Sequence, residues 1–289
     1  MKDFPNVKCD EKLSLHTTFK VGGSAKYFFE PSSVREIQEI LAYAKSKSVK
    51  TMIVGNGSNL LFSDDGFDGL IIHIGKSFSN IVVNGNSITA QAGATMPQIA
   101  TVALNNSLSG FEFASGIPGT IGGGLMMNAG AYGSSLSDVV ISCECIHNNE
   151  IVTLQKADMA LDYRTSVFKN GEYVILSVTM QFATGNKDEI LTKMQDLKKR
   201  RLEKQPLEFP SAGSTFKRPV GNFAGALIEG AGLKGKTIGG ASVSEKHAGF
   251  IINKGDATAK DILDLIAYVQ DEVYKNSGIK LEPEVKIIR

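Results

Sequence analysis

Glycine constrains this chain more than any other residue: 30 glycines stand among 289 residues, gathered at residues 55–57, 119–133 and 230–240. Clustered glycine marks backbone that must turn sharply or approach a ligand closely. The longest run, residues 118–133 (PGTIGGGLMMNAGAYG), holds six glycines, one proline and no charge. Such a stretch is costly to order, so it predicts backbone laid directly against a flat, uncharged ring system. A mobile linker fits poorly with the Leu125-Met126-Met127 core inside it.

Around the clusters the sequence reads as mixed α and β. Ser33 and Glu36 form a capping box ahead of an apolar stripe through Val34, Ile37, Ile40, Leu41 and Ala44, and a strand over 50–54 runs into the first glycine cluster. Residues 70–182 are mostly short β-rich runs, at 70–74, 81–90 around an Asn84-Gly85 turn, 139–146, 151–154 and 173–182. One helix opened by Thr95 with Gln98 interrupts them. A long helix over 187–204 sets Ile190, Leu191, Met194 and Leu197 on its apolar side and ends in Lys198, Lys199, Arg200, Arg201 and Lys204, a solvated basic end suited to the helix dipole. A short helix over 224–229 and strands at 241–244 and 250–253 follow. The final helix starts at Thr258, buries Ile262, Leu265, Ile266, Val269 and Val273, and stops at Gly278.

Thirty-one basic residues balance thirty acidic ones, so no global field draws nucleic acid or an anionic membrane. Cys9, Cys143 and Cys145 are odd in number, with the latter two in an apolar run, which suits a reducing compartment and no metal cluster. The start, MKDFP, has no apolar signal core, and no eighteen apolar residues run together. The expectation is a cytoplasmic protein that neither spans membranes nor is secreted.

Two local motifs leave alternatives open. Residues 230–237 (GAGLKGKT) match the phosphate loop G-x-x-x-x-G-K-[ST] literally, but a short helix precedes them and a strand follows, the reverse of the context in which helix N-terminal amides meet a phosphate. Residues 55–60 (GNGSNL) resemble the start of a dinucleotide fingerprint but lack its third glycine and its later acidic residue. They are either an ordinary tight turn or a turn whose amides, Ser58 and Asn59 donate to a pyrophosphate.

Seven motifs in one order carry a resemblance through most of the chain: residues 16–23 (HTTFKVGG), the 55–60 turn with Ser63-Asp64, residues 118–133, residues 163–169 (YRTSVFK), 212–217 (AGSTFK), 244–248 (SEKHA) and 281–285 (LEPEV). Together they resemble the UDP-N-acetylenolpyruvoylglucosamine reductases, also called UDP-N-acetylmuramate dehydrogenases. The departures are His16, Asn56 and Gly124-Leu125, none at a catalytic position. Only fifty positions separate Arg164 from Ser214, which resembles the shorter branch that lacks an inserted tyrosine-bearing loop.

The resemblance implies an α+β fold: a two-subdomain FAD-binding unit of the PCMH/vanillyl-alcohol-oxidase type plus a small α+β substrate-binding domain. Its parts would be 1–77 with the tail 279–289 returning to it, 78–186, and 187–278. It implies non-covalent FAD held by Gly55, Asn56, Gly57, Ser58, Asn59, Leu60, Pro118, Gly119, Thr120, Gly122, Gly123, Asn128, Gly130 and Ala131. NADPH would be the co-substrate and UDP-N-acetylglucosamine-enolpyruvate the substrate, on a monomer. Arg164 and Glu284 would face the enolpyruvyl carboxylate and stabilise the developing enolate, and Ser214 would supply the proton with help from Lys217. Tyr163, Arg201, Lys217 and Asn253 would contact substrate, Arg201 at the diphosphate. Another FAD-linked oxidoreductase of the same architecture, or a phosphate-loop NTPase through residues 230–237, are the competing readings.

Overall fold

The computed structural model describes Phe4 and residues 6–289, so Met1, Lys2, Asp3 and Pro5 of the expected signal-free start lie outside the described residues. Compactness divides the chain into two units. Among the described residues one gathers Phe28–Asn56 and Leu70–Arg201, and the other gathers Lys8–Tyr27, Gly57–Gly69 and Leu202–Arg289.

The first unit is built on a five-stranded antiparallel sheet in the order Glu150–Gln155, Val140–His147, Tyr173–Gln181, Ser87–Gln91, Ile81–Asn84. Alternate residues such as Val178, Met180, Ile88 and Ala90 are fully buried, the period-2 signature of a sheet with one packed face. The first hairpin turns one residue later than expected, because Asn84 pairs with Ser87 and leaves Gly85 at φ +57 as the first turn residue. Helix α1, Val34–Ser46, is capped by the Ser33 hydroxyl, which accepts from Glu36 N. The Glu36 carboxylate accepts from Ser32 rather than Ser33. Helix α2, Met96–Asn105, carries the full Thr95–Gln98 capping box. Helix α3, Ile121–Met126, stands inside the glycine-rich run, where no helix was expected. Three glycines cost such a helix about 1 kcal/mol each against alanine. Packing accounts for two of them: a Cβ on Gly122 would lie 2.9 Å from the Ala92 Cβ, and one on Gly124 would lie 3.1 Å from Met96 Sδ. Helix α4, Lys187–Lys204, matches its expected span, but only Ile190 and Leu197 are buried and Leu191 is exposed, so its packed stripe is narrower than the four residues expected.

In the second unit helix α5, Ala224–Gly230, and helix α6, Ala259–Ser277, pack with the small sheet Thr237–Ile238, Ala241–Val243, Ile251–Asn253. Thr258 caps α6, Gly278 ends it in the left-handed conformation, and its expected five apolar residues are all buried. Burying each such side chain contributes about 1.5–3 kcal/mol. They share a core with Phe19, Leu61, Phe216, Ile228 and Val285. The short strand Leu60–Phe62 pairs in parallel with Lys286–Ile288, and both oxygens of the Asp64 carboxylate accept from the first amides of α6, Ala259 N at 2.8 Å and Lys260 N at 2.9 Å. Among the described residues no helix is long and apolar enough to cross a membrane, and no group of histidine, cysteine or acidic residues could hold a metal.

Candidate functional site

In the first unit the strand Thr51–Val54 pairs in parallel with Leu70–His73 and delivers Gly55 and Asn56 at its end. The Asn56 carboxamide donates to the Pro118 carbonyl at 2.6 Å, and a Cβ on Gly55 would collide with the Thr120 hydroxyl. Two glycine-rich segments far apart in sequence therefore meet, and residue 55 must be glycine for them to do so. Thr120 is buried and caps α3 through its hydroxyl, which accepts from Gly123 N. The main-chain amides of Asn56 and Thr120 donate to no protein acceptor among the described residues. Asn56 is exposed, but Thr120 is buried, and an unsatisfied buried amide costs about 1–3 kcal/mol, so the Thr120 amide fits a ligand rich in acceptors, such as a dinucleotide.

The rest of that segment is tightly braced. Gly119 accepts from Met96 N, and Gly122 donates to the Ala92 carbonyl. Gly130 and Ala131 pair with Ser134 and Ser135 in a hairpin whose tip, Tyr132 and Gly133, takes φ +56 and +86. Asn128, 5% exposed, donates to the Asp162 carbonyl at 3.1 Å and accepts from Ser137 N at 2.9 Å.

Arg164 sits in a tight turn closed by reciprocal 3.2 Å bonds between Asp162 and Thr165. Its φ of +53 is a left-handed conformation that costs a non-glycine residue about 1–2 kcal/mol. Its guanidinium donates to the Gly130 carbonyl at 3.3 Å and lies 5.3 Å from the centre of the Tyr163 ring, which is otherwise exposed. Arg201 belongs to the same unit. Its guanidinium packs on Gly116, where a Cβ would lie 3.0 Å from Nη1, and burial lowers its pKa from the ordinary arginine value. No carboxylate among the described residues pairs with it, whereas Arg200 is tied to Asp196 at 2.8 Å on the surface.

In the second unit Ser214 is exposed, next to Gly213 at φ +73. Residues 215–217 lie antiparallel to 282–284: Glu284 N donates to the Thr215 carbonyl at 2.8 Å, Phe216 bridges to Pro283, and Lys217 N donates to the Glu282 carbonyl at 2.8 Å. Ser214 and Glu284, seventy positions apart, are thus set on adjoining stretches of backbone. Asn59 reinforces this, its carboxamide donating to the Glu284 carbonyl at 3.1 Å and its own carbonyl accepting from Lys286 N. Gly57, at φ +59, abuts the His16 carbonyl and accepts from Leu60 N, and Ser58 stands between Gly57 and Asn59.

Two expected substrate contacts have other employment in this geometry. The Lys217 ammonium, expected to assist Ser214, pairs with the Glu282 carboxylate at 2.9 Å and holds its pKa below the ordinary glutamate value. Asn253 is 3% exposed, donates to the Phe19 carbonyl and accepts from Gly255 N and Ala257 N, which fixes the loop leading into α6. Sequence reasoning did not single out Thr18, whose hydroxyl oxygen is buried with no hydrogen-bond partner. Its place in the 16–23 motif was the available signal. The phosphate-loop match at 230–237 leads from the end of α5 into the strand Thr237–Ile238, with no helix opening after it.

Comparison with known proteins matches two stretches of the chain to described families. Residues 25–154 match the FAD binding domain family, and residues 205–288 match the family described as UDP-N-acetylenolpyruvoylglucosamine reductase, C-terminal domain. A protein named UDP-N-acetylenolpyruvoylglucosamine reductase from Clostridium kluyveri is 50% identical over 288 residues, 99% of this chain and 94% of its own length. One of the same name from Caldanaerobacter subterraneus subsp. tengcongensis is 49% identical over 280 residues, covering 96% and 92%. The crystal structure of UDP-N-acetylenolpyruvylglucosamine reductase from Thermus caldophilus superposes with a TM-score of 0.85 at 31% identity, covering 98% of each chain.

Proposed function

This chain belongs to the UDP-N-acetylenolpyruvoylglucosamine reductase family and is an FAD-binding oxidoreductase of peptidoglycan precursor synthesis, and we propose how its residues divide the reduction of the enolpyruvyl ether. FAD, bound non-covalently, would supply the hydride chemistry that links NADPH to the enolpyruvyl double bond. Arg164 and Glu284 hold the enolpyruvyl carboxylate and stabilise the enolate that develops on it, and Ser214 delivers a proton to the remaining carbon. The observation that carries this reading is the bond from Glu284 N to the Thr215 carbonyl, which fixes the proposed acid and the proposed clamp residue on neighbouring backbone. The left-handed turn of Arg164 supports it, since strain of this kind gathers at functional residues.

Gly55, Asn56, Gly57, Ser58, Asn59, Leu60, Pro118, Gly119, Thr120, Gly122, Gly123, Gly130 and Ala131 hold the cofactor, with the main-chain amides of Asn56 and Thr120 as donors, whereas the Asn128 carboxamide is taken up by Asp162 and Ser137. Arg201, a half-buried cation without a carboxylate, takes the UDP diphosphate, and Tyr163 lies beside the sugar. Residues 1–77 with 279–289, and 78–186, form the cofactor-binding part, and 187–278 form the substrate part, in a cytoplasmic monomer.

Ser214→Ala tests the assignment at its centre. Bleaching of the flavin absorbance by NADPH stays near the parental rate, because that half needs no proton from Ser214, while reoxidation by the enolpyruvyl UDP-sugar slows by about 10²–10⁴-fold. Stopped-flow absorbance follows each half alone. Equal slowing of both halves would make Ser214 structural, and slowing of neither would assign protonation to another group. For Arg201→Ala the expected change is a raised KM with turnover preserved, since a diphosphate contact is made alike in ground and transition states.

A further inference from the structure

Asn128 belongs to the glycine-rich segment, yet both ends of its carboxamide are turned to the protein. It takes φ +42, accepts from Ser137 N at 2.9 Å, and donates to the Asp162 carbonyl at 3.1 Å. That carbonyl also accepts from Thr165 N and so closes the turn that carries Tyr163 and Arg164. Two residues beyond Asn128, the Gly130 carbonyl receives the Arg164 guanidinium at 3.3 Å. Backbone and head group of Arg164 are therefore tied to the same three-residue stretch. Ser166, just past the turn, adds a third tie by donating to the Met126 carbonyl at 2.8 Å. We infer that Asn128 is a positioning residue for Arg164 in the reduction, and that its carboxamide serves the arginine turn rather than the cofactor. The physical ground is that a strained turn persists only when its surroundings over-determine it, and that a misplacement of about 1 Å in a clamp group can cost about 10²-fold in rate.

This inference rests on the proposed role of Arg164, and a double-mutant cycle separates the two. Asn128→Gly keeps the left-handed backbone accessible and removes the carboxamide alone. The expected result is a fall in kcat for sugar reduction of about 10–10²-fold, with parental FAD content and a parental rate of flavin bleaching by NADPH. In an Arg164→Ala background the same change lowers kcat by less than about twofold, because a residue that acts through Arg164 has nothing left to position. Multiplicative losses in the double variant, or loss of FAD in proportion to activity, overturn the inference. An Arg164→Ala enzyme with full turnover overturns instead the role given to Arg164, and the inference with it. Should Asn128→Gly fold poorly, Asn128→Asp retains the acceptor for Ser137 N and the tolerance of positive φ but loses the donor to Asp162. It must then show the kcat loss at an unchanged unfolding temperature, and parental kcat in that variant refutes the positioning role.

Discussion

Residues 118–133 and residues 230–240 are the two longest glycine-rich regions of the chain, and different neighbours crowd them. In the first, neutral groups approach the glycines: Ala92 at Gly122, Met96 and Leu136 at Gly124, Ser134 and Ser135 at Gly130. The amide of Thr120 is left unclaimed. In the second, the carboxylate of Glu245 occupies the space beside Gly235, that of Asp261 the space beside Gly239, and backbone of Ala257 the space beside Gly240. Lys236, which in a phosphate loop would reach for an anion, stands 4.5 Å over the Tyr268 ring. Glycine density reports close approach, and the charge of what approaches decides whether an anionic ligand can enter. The region with the literal nucleotide motif is the one already filled by the protein's own acids.

The contrast is most exposed to disproof at Gly122→Val. Side-chain carbons there would meet Ala92 Cβ and carbonyl, so the expected result is about 1–3 kcal/mol of destabilisation with reduced FAD retention, read by the absorbance ratio of purified protein and by denaturant unfolding. Retention of full FAD would show that the segment tolerates what its packing forbids. Gly235→Ala, the matched change in the other region, strains a φ of +73 and pushes on Glu245, for a loss of about 1–2 kcal/mol. Turnover per folded molecule stays parental, and a fall in it would give residues 230–237 a catalytic part.

Acid sensitivity sharpens the comparison further, because residues 118–133 contain no histidine while His247 lies beside Gly225 of α5. Burial depresses the His247 pKa, with Lys234 adding repulsion, and its Nδ1 accepts from Gly249 N. Since the folded pKa lies below the unfolded value of about 6.5, the unfolded chain binds the proton first. Stability from this group is intact above about pH 6.5 and declines as the pH falls toward the folded pKa. Unfolding temperatures at pH 7.5 and 5.5 should therefore converge in His247→Gln relative to the parent. An unchanged difference would remove His247 from the acid response. The smallest effect belongs to Lys236→Ala, which gives up a cation–π contact of about 0.5–1 kcal/mol and leaves turnover within about tenfold of the parent. Hydrolysis of ATP by the parent, abolished in this variant, would restore the NTPase reading.

What could be read from the sequence was local. Helix α6 announced both ends through Thr258 and Gly278, and α2 its start through Thr95 and Gln98, because caps are written in a few neighbouring residues. Helix α3 was hidden by its own glycines, whose low propensity is overruled by packing on Ala92, Met96 and Leu136. The left-handed φ of Arg164 had no glycine or asparagine to signal it. The pairing of Lys217 with Glu282 and of Asn59 with Glu284 spans 65 and 225 positions, and no local pattern encodes such meetings. The identity of the candidate residues came through the ordered motif set, whereas their mutual support came only with the fold.

The reach of Asp64 to the amides of α6, across 195 and 196 positions, bears on how genes for such proteins can exchange parts. A chimaera with one crossover near Leu202 takes α6 from one parent and its capping carboxylate from the other, and likewise divides the strand Leu60–Phe62 from its partner Lys286–Ile288. The unit is heritable only as three coordinated stretches, 8–27, 57–69 and 202–289. Recombinants between diverged relatives should therefore survive when crossovers come in sets that move those stretches together, and single crossovers should succeed only where both parents carry an acid at position 64 and matching residues along the two strands.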